Sequence, residues 1–214
     1  TDGEDQGDNY STYVLGAKAW ADNLSQSEAD SIESFILVDM VGDSYLTLRK
    51  TTPGNMELWN RTENIIRYID DVCEINDSSY FDFERFDGIY DDHVPAHDLG
   101  IPAIDIIDTR YGENASYLGG HWHTHNDTAD KVSAESLQKV GFILELGLIR
   151  GDWLDVRESM NGSESVIEDP CQQNSSEERP ECNIDSTEDK TSLQDGDDIT
   201  IGVLLVLCVI LVWV

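Results

Sequence analysis

The run Phe35-Ile36-Leu37-Val38 is apolar at every position and is closed at once by Asp39 and Gly42. A strand with one wet face alternates with period two. A run apolar on both faces belongs inside a sheet covered by helices on each side. Ser34 to Val41 is therefore predicted as a buried parallel strand, and Ala103 to Ile107 as the next one. Helical spacing recurs around them: in Tyr13, Val14, Ala17, Trp20 and Ala21, in Met56, Leu58, Ile65, Ile66 and Tyr68 as far as about Cys73, and in Leu137, Val140, Leu144 and Leu148. Strands alternating with helices predict an α/β fold, a three-layer, doubly wound and mostly parallel sheet.

Shorter features fill in the rest. Tyr45-Leu46-Thr47-Leu48 reads as a short edge strand and Pro53-Gly54 as a turn. Residues 76–92, rich in Asp, Phe and Tyr, read as a loop over a site, and Val94 to Leu99 as a short helix stopped by Gly100. Residues 108–130 form a long loop, and such loops in compact domains are often functional. Ser133 is placed to cap the following helix. Glu135 suits its first turn, although Ser136 stands where a full capping box wants Glu or Gln.

Charge narrows the function classes. The 214 residues hold 44 Asp and Glu against 13 Lys and Arg, a formal net charge of −31. Such a surface repels nucleic acid, so no nucleic-acid partner is expected; strong hydration, as in proteins of salty environments, is the simpler reading. Residues 1–156 read as one domain and residues 157–198, dominated by Ser, Glu, Asp, Asn and Pro, as an acidic disordered linker. The apolar run 199–214 is shorter than the ~20 residues of a full span, yet a transmembrane anchor is the expectation, since no further domain would bury it. Its upstream flank Asp195-Gly196-Asp197-Asp198 lacks Lys and Arg, which puts the domain on the extracytoplasmic side. Cys73 reads as a small buried hydrophobe, while Cys171 and Cys182 flank a tail segment where a local disulfide is an open alternative. Sequons such as Asn60-Arg61-Thr62 and Asn114-Ala115-Ser116 are compatible with that location and arise often by chance.

Two segments carry chemistry. One is Asp91-Asp92-His93-Val94-Pro95 before Gly100-Ile101-Pro102-Ala103-Ile104-Asp105. The other is His121-Trp122-His123-Thr124-His125-Asn126-Asp127-Thr128. Neutral imidazoles with ionised carboxylates are what a zinc site needs. Each residue also has a plainer reading. Asp2 to Asp5 would otherwise be a frayed charged terminus, Asp39 a turn former, His93 a helix cap, His97 an exposed helix residue and Trp122 a packing residue. His121, His123 and His125 would share one face of a strand, which leaves a separate His-only zinc site as a minor alternative.

The order of these segments resembles the zinc exopeptidase family, metallopeptidase family twenty-eight, which includes aminopeptidases and glutaminyl cyclases. Asp2-Gly3-Glu4-Asp5-Gln6-Gly7 is similar to its acidic motif at a strand end. Leu15-Gly16-Ala17-Lys18-Ala19-Trp20-Ala21 resembles the helix start that follows. Leu37-Val38-Asp39-Met40-Val41-Gly42-Asp43, Asp91-Asp92-His93-Val94-Pro95 and His123-Thr124 with Asp127-Thr128 complete the series.

The resemblance implies one or two zinc ions. It assigns Asp5 and His123 to one zinc and Asp39 to a second zinc, or to a hydrogen-bond network in one-zinc members. Glu4 becomes the general base or acid and Asp91 a carboxylate of the proton network. Trp122 would wall the substrate pocket. Zinc lowers the pKa of bound water to about 7, and a nearby Glu then takes up and passes on the proton. Family members carry another β/α half ahead of such a domain, so an absent N-terminal half, weak zinc binding and inactivity of residues 1–214 alone are expected. The leading expectation is a membrane-tethered zinc aminopeptidase acting on N-termini of peptides. A glutaminyl cyclase forming N-terminal pyroglutamate and an inactive binding domain of the same fold are the alternatives.

Overall fold

The computed structural model describes residues 10–73, 78–157 and 203–207. A 3-10 turn at Tyr10–Thr12 leads into α1 (Leu15–Asn23) and α2 (Gln26–Ser31). Ser25 starts α2 with a capping box: its hydroxyl accepts from the Glu28 amide while the Glu28 carboxylate accepts from the Ser25 amide. There follow β1 (Ser34–Asp39), β2 (Leu48–Thr52), α3 (Met56–Cys73), β3 (Phe81–Gly88), α4 (His93–Asp98), β4 (Ala103–Ile107), α5 (Ala134–Arg150) and β5 (Val203–Leu207).

β1 lies between β4 and β5, parallel to both, with Leu37 opposite Asp105 and Asp39 opposite Ile107. β2 and β3 form a second parallel pair. β2 reaches β4 through the Thr51 hydroxyl, which donates to the Asp105 carbonyl at 3.1 Å.

Successive strand residues point to opposite faces, and the packing follows. Ile36 and Val38 of β1 with Ile104 and Ile106 of β4 pack on Leu58, Trp59, Ile65 and Ile66 of α3 and on Val140 and Ile143 of α5. Phe35, Leu37 and Ala103 face Ala29 and Ala96 on the other side, with Trp20 and Leu24 packed against them. Helices therefore cover both faces, as the doubly apolar run of β1 predicts. Each large aliphatic side chain removed from such a core costs roughly 2–5 kcal/mol.

Several expectations are corrected. Tyr45 to Thr47 is not a strand; β2 begins at Leu48 and runs to Thr52. Residues 81–88, expected in a loop, form β3, where Phe81 is buried and Phe86 is exposed. The polar run hid a strand because β3 lies at the edge of the β2–β3 pair and keeps only part of its length under cover. The stretch 121–128 is a series of turns, so His121, His123 and His125 share no strand face. Among the described residues no group of three metal-binding side chains is assembled.

Val203–Leu207, expected within a membrane helix, is the strand β5. A short run of Val and Leu suits either element, and the free edge of β1 offers backbone groups to pair. Among the described residues no helix is long and apolar enough to cross a membrane. Arg157, the first residue of the expected linker, is anchored to the domain by donating to the carbonyl oxygens of Ala29 at 2.9 Å and Ile32 at 3.2 Å. Residues 158–198, with Cys171 and Cys182, and the remainder of 199–214 lie outside the described residues, as does the side chain of Cys73.

Candidate functional site

In open parallel sheets the carboxyl ends of the strands face the ligand, because the chain leaves the sheet there and its loops are free to carry side chains. Asp39 is the last residue of β1. Its Oδ1 accepts the Met40 amide at 2.9 Å, which holds the carboxylate at the strand end. Met40 takes a left-handed conformation, φ 51°, turning the chain out of the sheet. Asp91 precedes α4, and its Oδ1 accepts the Asp92 amide at 2.7 Å.

His93, the first residue of α4, is fully buried. Its Nε2 donates to the Pro53 carbonyl at 2.8 Å, since a carbonyl oxygen can only accept. Nδ1 then carries no proton and faces Oδ2 of the buried Asp105 at 3.7 Å. Burial, opposed by the Pro53 bond and helped by His97, lowers the pKa of His93 to about 4. His93 is thus a neutral ring that anchors the Asp91–Asp92 turn, neither a metal ligand nor a surface cap.

Asp105 is pushed well above the usual carboxylate range, by burial first and then by the charges of Asp91, Asp39 and Asp92. A neutral Asp105 at the floor beneath these carboxylates is the expected physical state. Carboxylate with imidazole is a donor set suited to zinc. Of the implied ligands, the described residues supply Asp39 and His123; Asp5, like the implied base Glu4, lies outside them.

The loop after β4 supplies the aromatic part. Its geometry depends on Gly120, φ 82°, where a Cβ would lie 2.0 Å from the Tyr111 carbonyl oxygen. That close approach lets the His121 amide donate to the same oxygen at 2.7 Å. Trp122 then packs against Met40, Ile107 and Tyr111, over the carboxyl ends of β1 and β4. Its ring stacks on the exposed His123 ring, with centroids 4.0 Å apart and planes 19° from parallel. His123 itself is left-handed, φ 54°. The structure therefore places Trp122, with His123 stacked on it, against Met40 directly after the Asp39 end of β1. His97 is partly exposed on α4 beside Asp98, and His125 is exposed.

Three residues of this region carried no sequence signal that singled them out. Tyr111 is buried, and its phenol is pushed up to about 12 by burial and by Asp127, Asp43, Asp108 and Asp39, so it is a neutral O–H at any working pH. Asp43 and Asp108 are buried acids, 1% and 0% exposed, in the loops that follow β1 and β4. Only the place of Asp108 directly after an apolar strand hinted at it.

Known proteins are similar to this chain. A model of peptidase family M28 matches residues 1–146. A glutaminyl cyclase from an Acidobacteriales bacterium is 28% identical, with a TM-score of 0.57 over 73% of this chain and 50% of its own. The Porphyromonas gingivalis glutaminyl cyclase is 27% identical, with a TM-score of 0.52 over 70% of this chain and 53% of its own. A zinc aminopeptidase from Bacillus subtilis is 22% identical, with a TM-score of 0.48 over 64% of this chain and 32% of its own. The chain thus spans about half the length of the cyclases it matches. The family match covers Glu4, Asp5, Asp39, Asp91, Trp122 and His123 together, and the chain belongs to peptidase family M28.

Proposed function

We propose that this chain carries part of a zinc-dependent site acting on the N-termini of peptides, and that its reaction is the closure of N-terminal glutamine to pyroglutamate. The observation that carries this reading is Trp122, stacked on His123 and packed on Met40 and Ile107. The indole places a broad apolar wall directly beside a candidate metal ligand. Such a wall suits a reaction in which the substrate's own amine is the nucleophile and water is a competitor.

In that reaction the α-amine nitrogen bonds to the side-chain amide carbon of glutamine. The bond from that carbon to the amide nitrogen breaks, and ammonia leaves. A zinc ion held there would supply Lewis-acid polarisation of the side-chain amide carbonyl. Glu4 takes a proton from the amine and returns one to the leaving nitrogen. Asp91, held by the Asp92 amide, belongs to the proton network, and Trp122 orients the glutamine side chain. Asp39 and His123, with Asp5, would hold the metal.

Hydrolytic removal of N-terminal residues is the second reading. It is favoured by the density of acids around Asp105, where Asp39, Asp91 and Asp92 offer more carboxylate than one zinc needs.

The test is made on the full-length gene product. Metal is counted per chain, and turnover is followed on an N-terminal Gln peptide and on a Leu amide. One zinc with ammonia released from the Gln peptide supports the cyclase. Two zincs with amine released from the Leu substrate replace it with the aminopeptidase.

A further inference from the structure

Beneath the loop that bears Trp122 and His123 lie two acids that the proposed chemistry does not use. Asp108 follows β4. Its Oδ2 accepts the Thr47 amide at 2.7 Å and its Oδ1 accepts the Arg110 amide at 2.8 Å. Asp43 lies in the loop after β1. The Asp108 carboxyl and the amides of Tyr45 and Gly112 face its oxygens, none of them at full hydrogen-bond geometry. Two carboxyls this buried cannot both ionise cheaply.

The backbone at Asp43 holds the far end of the same loop. Asp43 forms an antiparallel bridge with Val132. Its carbonyl accepts the Ser136 hydroxyl at 2.5 Å, and the Gly42 carbonyl accepts the Ser133 amide at 2.6 Å. The loop is thus clamped where it leaves β4, through Asp108, and where it enters α5, through Asp43. Between the clamps, Leu118 donates to the Thr109 carbonyl and His121 to the Tyr111 carbonyl, each at 2.7 Å.

We infer that Asp43 and Asp108 are positioning residues for the site loop: the backbone of Asp43 and the carboxyl of Asp108 clamp its two ends, and so hold Trp122 and His123 between them, while one proton remains on the two buried acids, and the loop loosens when both carboxyls ionise.

The surrounding groups favour that behaviour. Burial raises Asp108 to about 7; the Thr47 and Arg110 amides and the Arg110 charge oppose the rise, and Asp43 adds to it. Asp43 is raised by burial, against the Tyr45 and Gly112 amides, His121 and Asp108. The guanidinium of Arg110 is committed to Asp87, so it supplies little compensation to the pair. Tyr111, also against both acids, stays neutral. The closed loop therefore binds a proton that the open, hydrated loop releases.

The experiment is amide exchange of Leu118 and His121 in the metal-free full chain from pH 5 to pH 9, corrected for the intrinsic rate. The opening constant is expected to rise by up to about tenfold per pH unit and to level off above the Asp108 value of about 7. Asp108→Asn keeps the amide-accepting oxygen without the charge, and its opening constant is expected to be flat. Asp43→Asn serves in the same way if Asp108→Asn does not fold. A wild-type opening constant independent of pH overturns the inference. So does a slope that persists in the Asn variant. The inference rests on assigning Trp122 and His123 to the site. Because exchange needs neither substrate nor turnover, a wrong activity assignment and a wrong latch give different results.

Discussion

Nδ1 of His93 lies 3.7 Å from Oδ2 of Asp105, and both side chains are completely buried. The imidazole is anchored on its other side to the Pro53 carbonyl at 2.8 Å. A neutral imidazole and a carboxyl whose ionisation is opposed by burial are thereby packed together beside the Asp91–Asp92 turn.

This geometry sets a pH dependence. His93 has a folded pKa of about 4 against an ordinary 6.5, so the unfolded chain binds its proton first. The stability contributed by the neutral ring is complete above pH 6.5 and is lost as pH falls from there toward 4. The loss is at most about 3 kcal/mol. The stability of wild type relative to His93→Gln, from urea unfolding across that window, is expected to fall by up to this amount as pH drops, since the slope from the buried acids Asp105 and Asp108 is present in both proteins.

Gly147 sits where α5 meets Trp153. A Cβ there would lie 2.6 Å from the indole ring, and Trp153 is fully buried with its Nε1 donating to the Thr62 hydroxyl at 3.1 Å. Gly147→Ala gains helix propensity but overpacks this contact. A net destabilisation of roughly 1–3 kcal/mol is expected from chemical denaturation. Unchanged stability would mean that the indole shifts freely.

Trp122 tests the apolar wall. In the full-length protein Trp122→Ala is expected to lower kcat/KM on an N-terminal Gln peptide by at least about tenfold, with Trp122→Phe between it and wild type. Equal turnover in all three proteins would reduce Trp122 to a packing residue.

Metal dependence separates ligands from neighbours. His123→Ala is expected to weaken zinc binding by more than about 100-fold, beyond the loss usual for a residue that only supports a ligand. His125→Ala, two residues on and exposed, should leave it unchanged. Competition with a colorimetric chelator reads both variants, and equal affinities would remove His123 from the metal shell.

Much of the framework was legible in local sequence. Ser25 was not foreseen as a helix start, yet β1, α3, α4, β4 and α5 follow their apolar patterns closely, and Ser133 caps α5 by accepting the Ser136 amide as its position suggested. The misreadings share a cause. β3 has a mostly polar sequence because only part of it is covered, and β5 is an apolar run whose period cannot separate a strand from a helix. In both cases the state depends on which neighbour supplies the missing hydrogen bonds.

The site divides along the same line. The order of Asp39, Asp91, Trp122 and His123 pointed to the family, because residue type and spacing are properties of the chain alone. The sequence could not place Asp105 beneath three other acids, pair Asp43 with Asp108, or enclose Tyr111 among four carboxylates. Burial and through-space charge belong to residues far apart in the chain, and only the folded sheet brings them within reach of one another.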